Sequence, residues 1–346
     1  LSAAAQAAHA ELFEMAQVVE AARSPAFVSG HVTRKTVKNR RYAYLAFKEI
    51  DGRKREYYLG PDGPAVAAVE KALAREVPAL AALARQAAAT VAQGCAATPP
   101  RHYRIVKRLA DYQFFRAGGL LVGTQAFLAL GNQLGVAWGD ATRTLDIDFA
   151  HPGPRSPLAV AIGSDLKVDT DSALRSLESG FLPALGGSKG LAAQYVSERE
   201  PDLRVDFITT MRRSRDPVPM PELGIALTPL KFLDYLLEGP IQSVLLDRAD
   251  ACIVNVPDPA RYGLHKLLVA AERGPKNRKY GKDIAQALAL IEWHLDHSPT
   301  AIIDAWRDLT VRGKGRSQRA HASLAAAPVP QRELVGAFLK AVGQRS

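Results

Sequence analysis

The chain has 346 residues, 47% of them hydrophobic, two cysteines and a formal net charge of +10 at pH 7. That length and apolar content suffice for a substantial core in two or three structural units. No apolar run reaches the roughly 18 uncharged residues that a membrane-spanning helix needs, and Cys95 and Cys252 are too few for a disulfide scaffold or a cysteine-rich zinc site. The basic balance favours anionic partners such as RNA, DNA or nucleotides, and a reducing cytoplasm is the expected location.

The first 22 residues carry His9, Glu11, Glu14 and Glu20 in an Ala-rich run without a basic leader, which predicts an amphipathic helix instead of a secretory signal. Leu1 stands where an initiator Met is usual, so the natural start is expected to have been removed. Positive charge concentrates next: Arg34, Lys35, Lys38, Arg40, Arg41, Lys48, Arg53, Lys54 and Arg55 face only Glu49 and Asp51. Residues 42–47 and 56–59 read as two strands, with Asp51-Gly52 as the hairpin turn. Cations interleaved with Tyr42, Tyr44, Tyr57 and Tyr58 suit a phosphate backbone and its bases; Arg40, Arg41, Arg53 and Lys54 are the candidate contacts. The structural alternative is a small basic sheet with its tyrosines in a core. A long Ala-rich helix is predicted over residues 64–92, ending near Gly94 and Thr98-Pro99-Pro100, and a second over 102–116, leading into Gly118-Gly119.

The chemistry-bearing part follows. Leu120-Leu121-Val122-Gly123-Thr124-Gln125-Ala126-Phe127 reads as strand, turn and helix, and Thr144-Leu145-Asp146-Ile147-Asp148-Phe149 and Arg204-Val205-Asp206-Phe207-Ile208 as strands. Side chains two apart on a strand share a face, so Asp146 and Asp148 can share a ligand while Ile147 and Phe149 enter the core. Asp206 has the same pattern and can add a third carboxylate if its strand lies alongside. Hard oxygen donors of this kind suit Mg²⁺. Gly123 permits close backbone approach, and the Thr124 hydroxyl with the helix N-terminal amides can donate to phosphate oxygens; taken alone, a Gly-Thr pair is equally a plain helix cap.

This order of parts resembles the DNA polymerase beta-like nucleotidyltransferase superfamily, over roughly residues 105–300. The resemblance implies an α/β (α+β) fold: a small mixed-sheet core flanked by helices, with a basic N-terminal β-hairpin region before it and a helical C-terminal region after it. It further implies a Gly-Thr turn gripping nucleotide phosphate and Asp146, Asp148 and Asp206 holding two metal ions, Mg²⁺ with Mn²⁺ as the substitute. Lys266 and Lys282, in Tyr262-Gly263-Leu264-His265-Lys266-Leu267 and Arg278-Lys279-Tyr280-Gly281-Lys282-Asp283, match the position of helix cations that related transferases place on the triphosphate; ordinary surface lysines are the alternative. The connection from Gly123-Thr124 to Asp146 is longer than in many members. Residues 1–100 are then expected to form the helix, hairpin and long helix, 101–220 the core, and 221–346 a mainly helical region with helices near 229–238, 258–273, 280–297, 299–311 and 331–343, after the Pro-rich break Asp216-Pro217-Val218-Pro219-Met220-Pro221. The implied reaction moves a nucleoside monophosphate from an NTP to a hydroxyl, releasing pyrophosphate. The basic hairpin favours an RNA acceptor such as a tRNA end, with protein and small-molecule hydroxyls behind it. Some bacterial members of the superfamily act as toxins.

Rival readings rest on thinner signals. Gly186-Gly187-Ser188-Lys189-Gly190 matches the nucleophile elbow of serine hydrolases, with His265, His294 or His297 as base, but Pro183 interrupts the strand that an elbow requires. His294-Leu295-Asp296-His297 lacks further zinc ligands. Neither a P-loop nor a GxGxxG fingerprint is present. A nucleic-acid-binding module that keeps the fold without turnover is the main alternative from another class; the intact set of Asp146, Asp148 and Asp206 weighs against it.

Overall fold

A computed structural model describes residues 1–22, 31–48, 54–138, 146–154, 168–177, 180–184 and 187–343. Helix α1 (Ala3–Ala22) buries Ala5, His9, Leu12 and Ala16, a helical repeat that forms one stripe. Strands β1 (His31–Val37), β2 (Arg40–Lys48) and β3 (Lys54–Pro61) form an antiparallel sheet in that order. The expected hairpin therefore gains a strand. Its link to β1 is the two-residue turn Lys38-Asn39, with φ of 46° and 63°, the backbone that a tight hairpin between twisted strands demands. No glycine marks it, which hid it from the sequence. Asp51-Gly52 lies outside the described residues. Helix α2 (Pro64–Ala92) opens on Pro64, as a first helical position tolerates, and sets Leu83 and Ala87 against α1.

Helix α3 (Pro100–Asp111) stops earlier than predicted, at turns that include Gln113 with φ of 65°. Then come β4 (Leu120–Val122), α4 (Gly123–Gln133), β5 (Asp146–Ala150), α5 (Thr170–Arg175), β6 (Phe181–Pro183), β7 (Gln194–Ser197), β8 (Arg204–Thr210), β9 (Val218–Met220) and β10 (Ile225–Leu230). The strands form one 7-stranded mixed sheet ordered β4-β5-β8-β10-β9, with β7 also on β8 and β6 on β7. β5 and β10 run parallel to β8, and β4 runs antiparallel to β5. Along β5 and β8 the apolar residues Ile147, Phe149, Val205 and Phe207 are fully buried, whereas Asp146, Asp148 and Asp206 are half-buried. Phe149 stacks on Phe207 at 5.6 Å between ring centroids, and Phe114 meets both edge-on. This aromatic layer holds the two acidic strands in place from beneath.

The chain ends with α6 (Leu233–Leu236), β11 (Ile241–Leu246), β12 (Ala251–Val256), α7 (Pro259–Arg273), α8 (Tyr280–His297), α9 (Pro299–Val311), α10 (Lys314–Ala325) and α11 (Arg332–Gly343). The predicted helix at 229–238 is replaced by the end of β10 and the single turn of α6. Ile225, Ala226 and Leu227 are buried and the strand joins β8, so sheet pairing overrides a Leu-rich pattern that suits either state. The β11-β12 hairpin and α10 add to the helices expected here. Val244, Leu246 and Ile253 of the hairpin close a core with α1, and Leu264, Leu268, Ile291, Ile302, Trp306 and Phe338 make a separate core among the C-terminal helices. The fold is α+β with C-terminal helices. Among the described residues no helix is long and apolar enough to cross a membrane.

Candidate active site

The β4-α4 turn begins the site. Gly123 has φ of 66°, and a Cβ built there would lie 2.4 Å from Asp148 Oδ2. Both the left-handed backbone and the lack of space require glycine. Tyr262 of α7 donates its hydroxyl to the Gly123 carbonyl at 2.6 Å, tying the turn to the helical region. The N-cap of α4, Val122, offers no side-chain acceptor to the first-turn amides, so those donors remain directed at whatever lies before the helix.

Asp148 pairs in register with Val122 on one side and with Asp206 on the other; Asp146 pairs with Arg204. Register partners on adjacent strands point to the same face, so Asp148 and Asp206 are neighbours across about 4.8 Å of sheet. Burial, then the charge of Asp206, pushes the Asp148 carboxyl up to about 6, against the opposing pull of Lys279 and Lys266. Burial also raises Asp206, which Gln194 Nε2 counteracts by donating to its Oδ1 at 2.6 Å from β7. Two adjacent desolvated carboxylates, each still raised despite nearby cations, present the donor chemistry that a hard divalent ion satisfies. The third acid stands differently. Asp146 Oδ2 accepts from Lys279 Nζ at 2.8 Å, and among the described residues no three His, Cys, Asp or Glu side chains converge as a ready metal cage.

Cations line the opposite wall. Lys282 Nζ donates to Thr124 Oγ1 at 2.9 Å, and burial, followed by repulsion from Lys266 and Lys279, lowers its amine to about 8. Lys266 Nζ lies 3.0 Å from Asp283 Oδ1 and 5.3 Å from the Tyr262 ring centroid. The other oxygen of Asp283 accepts from Arg273. Buried Asp283 thus holds one cation from each side, and α7 and the start of α8 present Lys266, Lys279 and Lys282 near the carboxylates and the Gly123 turn. Sequence reasoning reached Lys266 and Lys282 but missed Lys279, although it lies in the same basic run. Tyr262 and Asp283 stand in the same two segments but carry no charge signal of a phosphate site, and Gln194 and Arg273 carry no local motif.

The remaining candidates lie elsewhere. Arg40, Arg41 and Lys54 are exposed on the three-stranded sheet, not on the central one, and Arg53 is outside the described residues. Arg41 is 3.4 Å from Asp62. Ser188 and Leu191 exchange backbone hydrogen bonds in a tight turn between the antiparallel strands β6 and β7, so Ser188 does not open a helix as an elbow serine would; Gly186 lies outside the described residues. His265 is buried with neither ring nitrogen hydrogen-bonded, and His294 and His297 bond back to helical carbonyls of Leu290 and Trp293. The hydrolase and zinc readings end there.

Residues 101–311 match a family model described as nucleotidyltransferase, and the chain belongs to that family. Among solved structures, an antigenic nucleotidyltransferase-like protein from Paracoccidioides brasiliensis is similar at 15% identity, over 64% of this chain and 93% of that one, with a TM-score of 0.31. No curated protein matches the chain.

Proposed function

We propose that the protein transfers a nucleoside monophosphate from an NTP to a hydroxyl acceptor with release of pyrophosphate, and that the acceptor is RNA. The observation that carries the transfer reading is the side-by-side register of Asp148 and Asp206 next to the Gly123-Thr124 turn, with Lys266, Lys279 and Lys282 close by. Thr124 and the first amides of α4 donate to phosphate oxygens, while Lys266, Lys279 and Lys282 offset the charge of the triphosphate. Asp148 and Asp206 would hold Mg²⁺ or Mn²⁺, joined by Asp146 when it exchanges Lys279 for the ion. When bound, such ions neutralise phosphate charge and acidify the acceptor hydroxyl. Asp206, steadied by Gln194, is the candidate either for holding a second ion or for the base that takes the proton of that hydroxyl.

The acceptor assignment rests on the net charge of +10 and on the basic three-stranded sheet. Incubation with Mg²⁺ and each radiolabelled NTP, with total RNA, cell protein or small hydroxyl compounds offered separately, tests both parts. Label is expected in RNA, and an Asp148→Asn preparation should leave it unlabelled. Label in protein or small molecules would overturn the acceptor, and no label with any NTP would overturn the transfer.

A further inference from the structure

The three-stranded sheet has two unlike faces. Register sets Lys35 opposite Tyr42, Thr33 opposite Tyr44, and Tyr58 on the far side of Tyr44. Directly paired residues share a face, and the rings agree: Tyr44 and Tyr58 lie 5.5 Å apart, Tyr42 and Tyr58 6.1 Å. Lys35 Nζ sits 4.9 Å from the Tyr44 ring centroid. Ala43 and Leu45 turn the other way and are buried. Tyr57, paired with Leu45, stands apart from the trio. Tyr58 is 58% exposed and Tyr42 and Tyr44 are half-buried, so the cluster reaches solvent and is not a core.

The charges on this sheet also divide. Arg34 is occupied by Asp62 at 3.0 Å and Glu70 at 2.7 Å, Lys35 by Glu56, and Arg41 by Asp62. Arg40 and Lys54 are exposed and have no such partner among the described residues. By strand alternation both belong to the tyrosine face, Arg40 beside Tyr42 at one end and Lys54 beyond Tyr58 at the other.

We infer that this face binds single-stranded RNA, with bases stacked on Tyr42, Tyr44 and Tyr58 and phosphates held by Arg40 and Lys54. Tyrosine rings offered to solvent can stack only on bases whose own faces are free, which a duplex conceals. An overall positive charge with unpaired cations at both ends of an aromatic strip complements a flexible polyanion. This deepens the RNA acceptor reading and rests on it for the fate of the bound strand. Binding itself is measurable without NTP or divalent ion, so its failure is distinct from failure of transfer.

Fluorescence anisotropy decides it, with a labelled A-rich RNA strand, its duplex, and a DNA strand of the same sequence, over a series of KCl concentrations. The single RNA strand should bind more tightly than the duplex or the DNA. Tyr58→Ala should weaken it about tenfold with the salt slope unchanged, and Tyr58→Phe, which keeps the ring, should stay near wild type. Arg40→Ala with Lys54→Ala should instead reduce the slope, by about 0.7 for each phosphate that is no longer neutralised. Duplex or DNA bound as tightly as the RNA strand, or Tyr58→Ala indistinguishable from wild type, would overturn the inference.

Discussion

Gly123 and Asp148 compete for one volume: the Cβ that any other residue would add at 123 falls 2.4 Å from Asp148 Oδ2. The missing side chain and the position of the acid are thus a single feature. Gly123→Ala must displace the carboxylate and also hold a positive φ, at roughly 1–2 kcal/mol for the backbone alone. The expected result is a modest fall in the unfolding midpoint, with nucleotidyl transfer reduced by about tenfold or more because a group near the reacting atoms is misplaced. Near-normal turnover in this variant would show that Asp148 does not need its present position.

Asp148→Asn and Asp206→Asn should each lower transfer by about 100-fold or more, the scale of losing a positioned catalytic group. Folding should persist, because Ile147, Phe149, Val205 and Phe207 carry the packing of both strands on the opposite face. Circular dichroism melts beside single-turnover assays separate the two effects. Transfer surviving in either variant removes that residue from the chemistry.

Nucleotide affinity should depend on pH through Lys282. Its amine is lowered to about 8, so it is charged below that pH and neutral above it, and a triphosphate gains its full attraction only below. Affinity for a fluorescent ATP analogue without metal is expected to fall as pH rises past about 8, by up to about tenfold per unit. Lys282→Arg, charged throughout, should flatten the profile. A wild-type profile that is already flat would place Lys282 outside the triphosphate site.

Asp283 and Lys279 should behave oppositely. Asp283 is buried between Lys266 and Arg273, and its removal leaves two cations without their acid, so Asp283→Ala should cost roughly 3 kcal/mol in denaturant unfolding. Lys279 is 46% exposed in its pair with Asp146, so Lys279→Ala should change stability by less than about 1 kcal/mol while raising KM for NTP. A stable Asp283→Ala, or a Lys279→Ala with unaltered KM, contradicts these roles.

Local pattern made much of this architecture readable. Alternation in Asp146-Ile147-Asp148-Phe149 and Val205-Asp206-Phe207 announces strands with a polar and an apolar face, because a strand repeats every two residues whatever it pairs with. The helices α2, α7, α8, α9 and α11 follow from a helical repeat bounded by proline, glycine and capping residues. Other elements depend on partners distant in sequence. The Pro229 segment suits helix or strand until β8 supplies an open edge, and the apolar runs of β11 and β12 acquire meaning only where α1 covers them. The same distinction divides the candidate site. That Asp148 meets Asp206, that Lys279 reaches Asp146, and that Asp283 binds Lys266 and Arg273 were decided by strand register and by the docking of α7 and α8. Period and capping act within a few residues of chain, whereas ion pairs and register are set by whichever surfaces the folded core brings into contact.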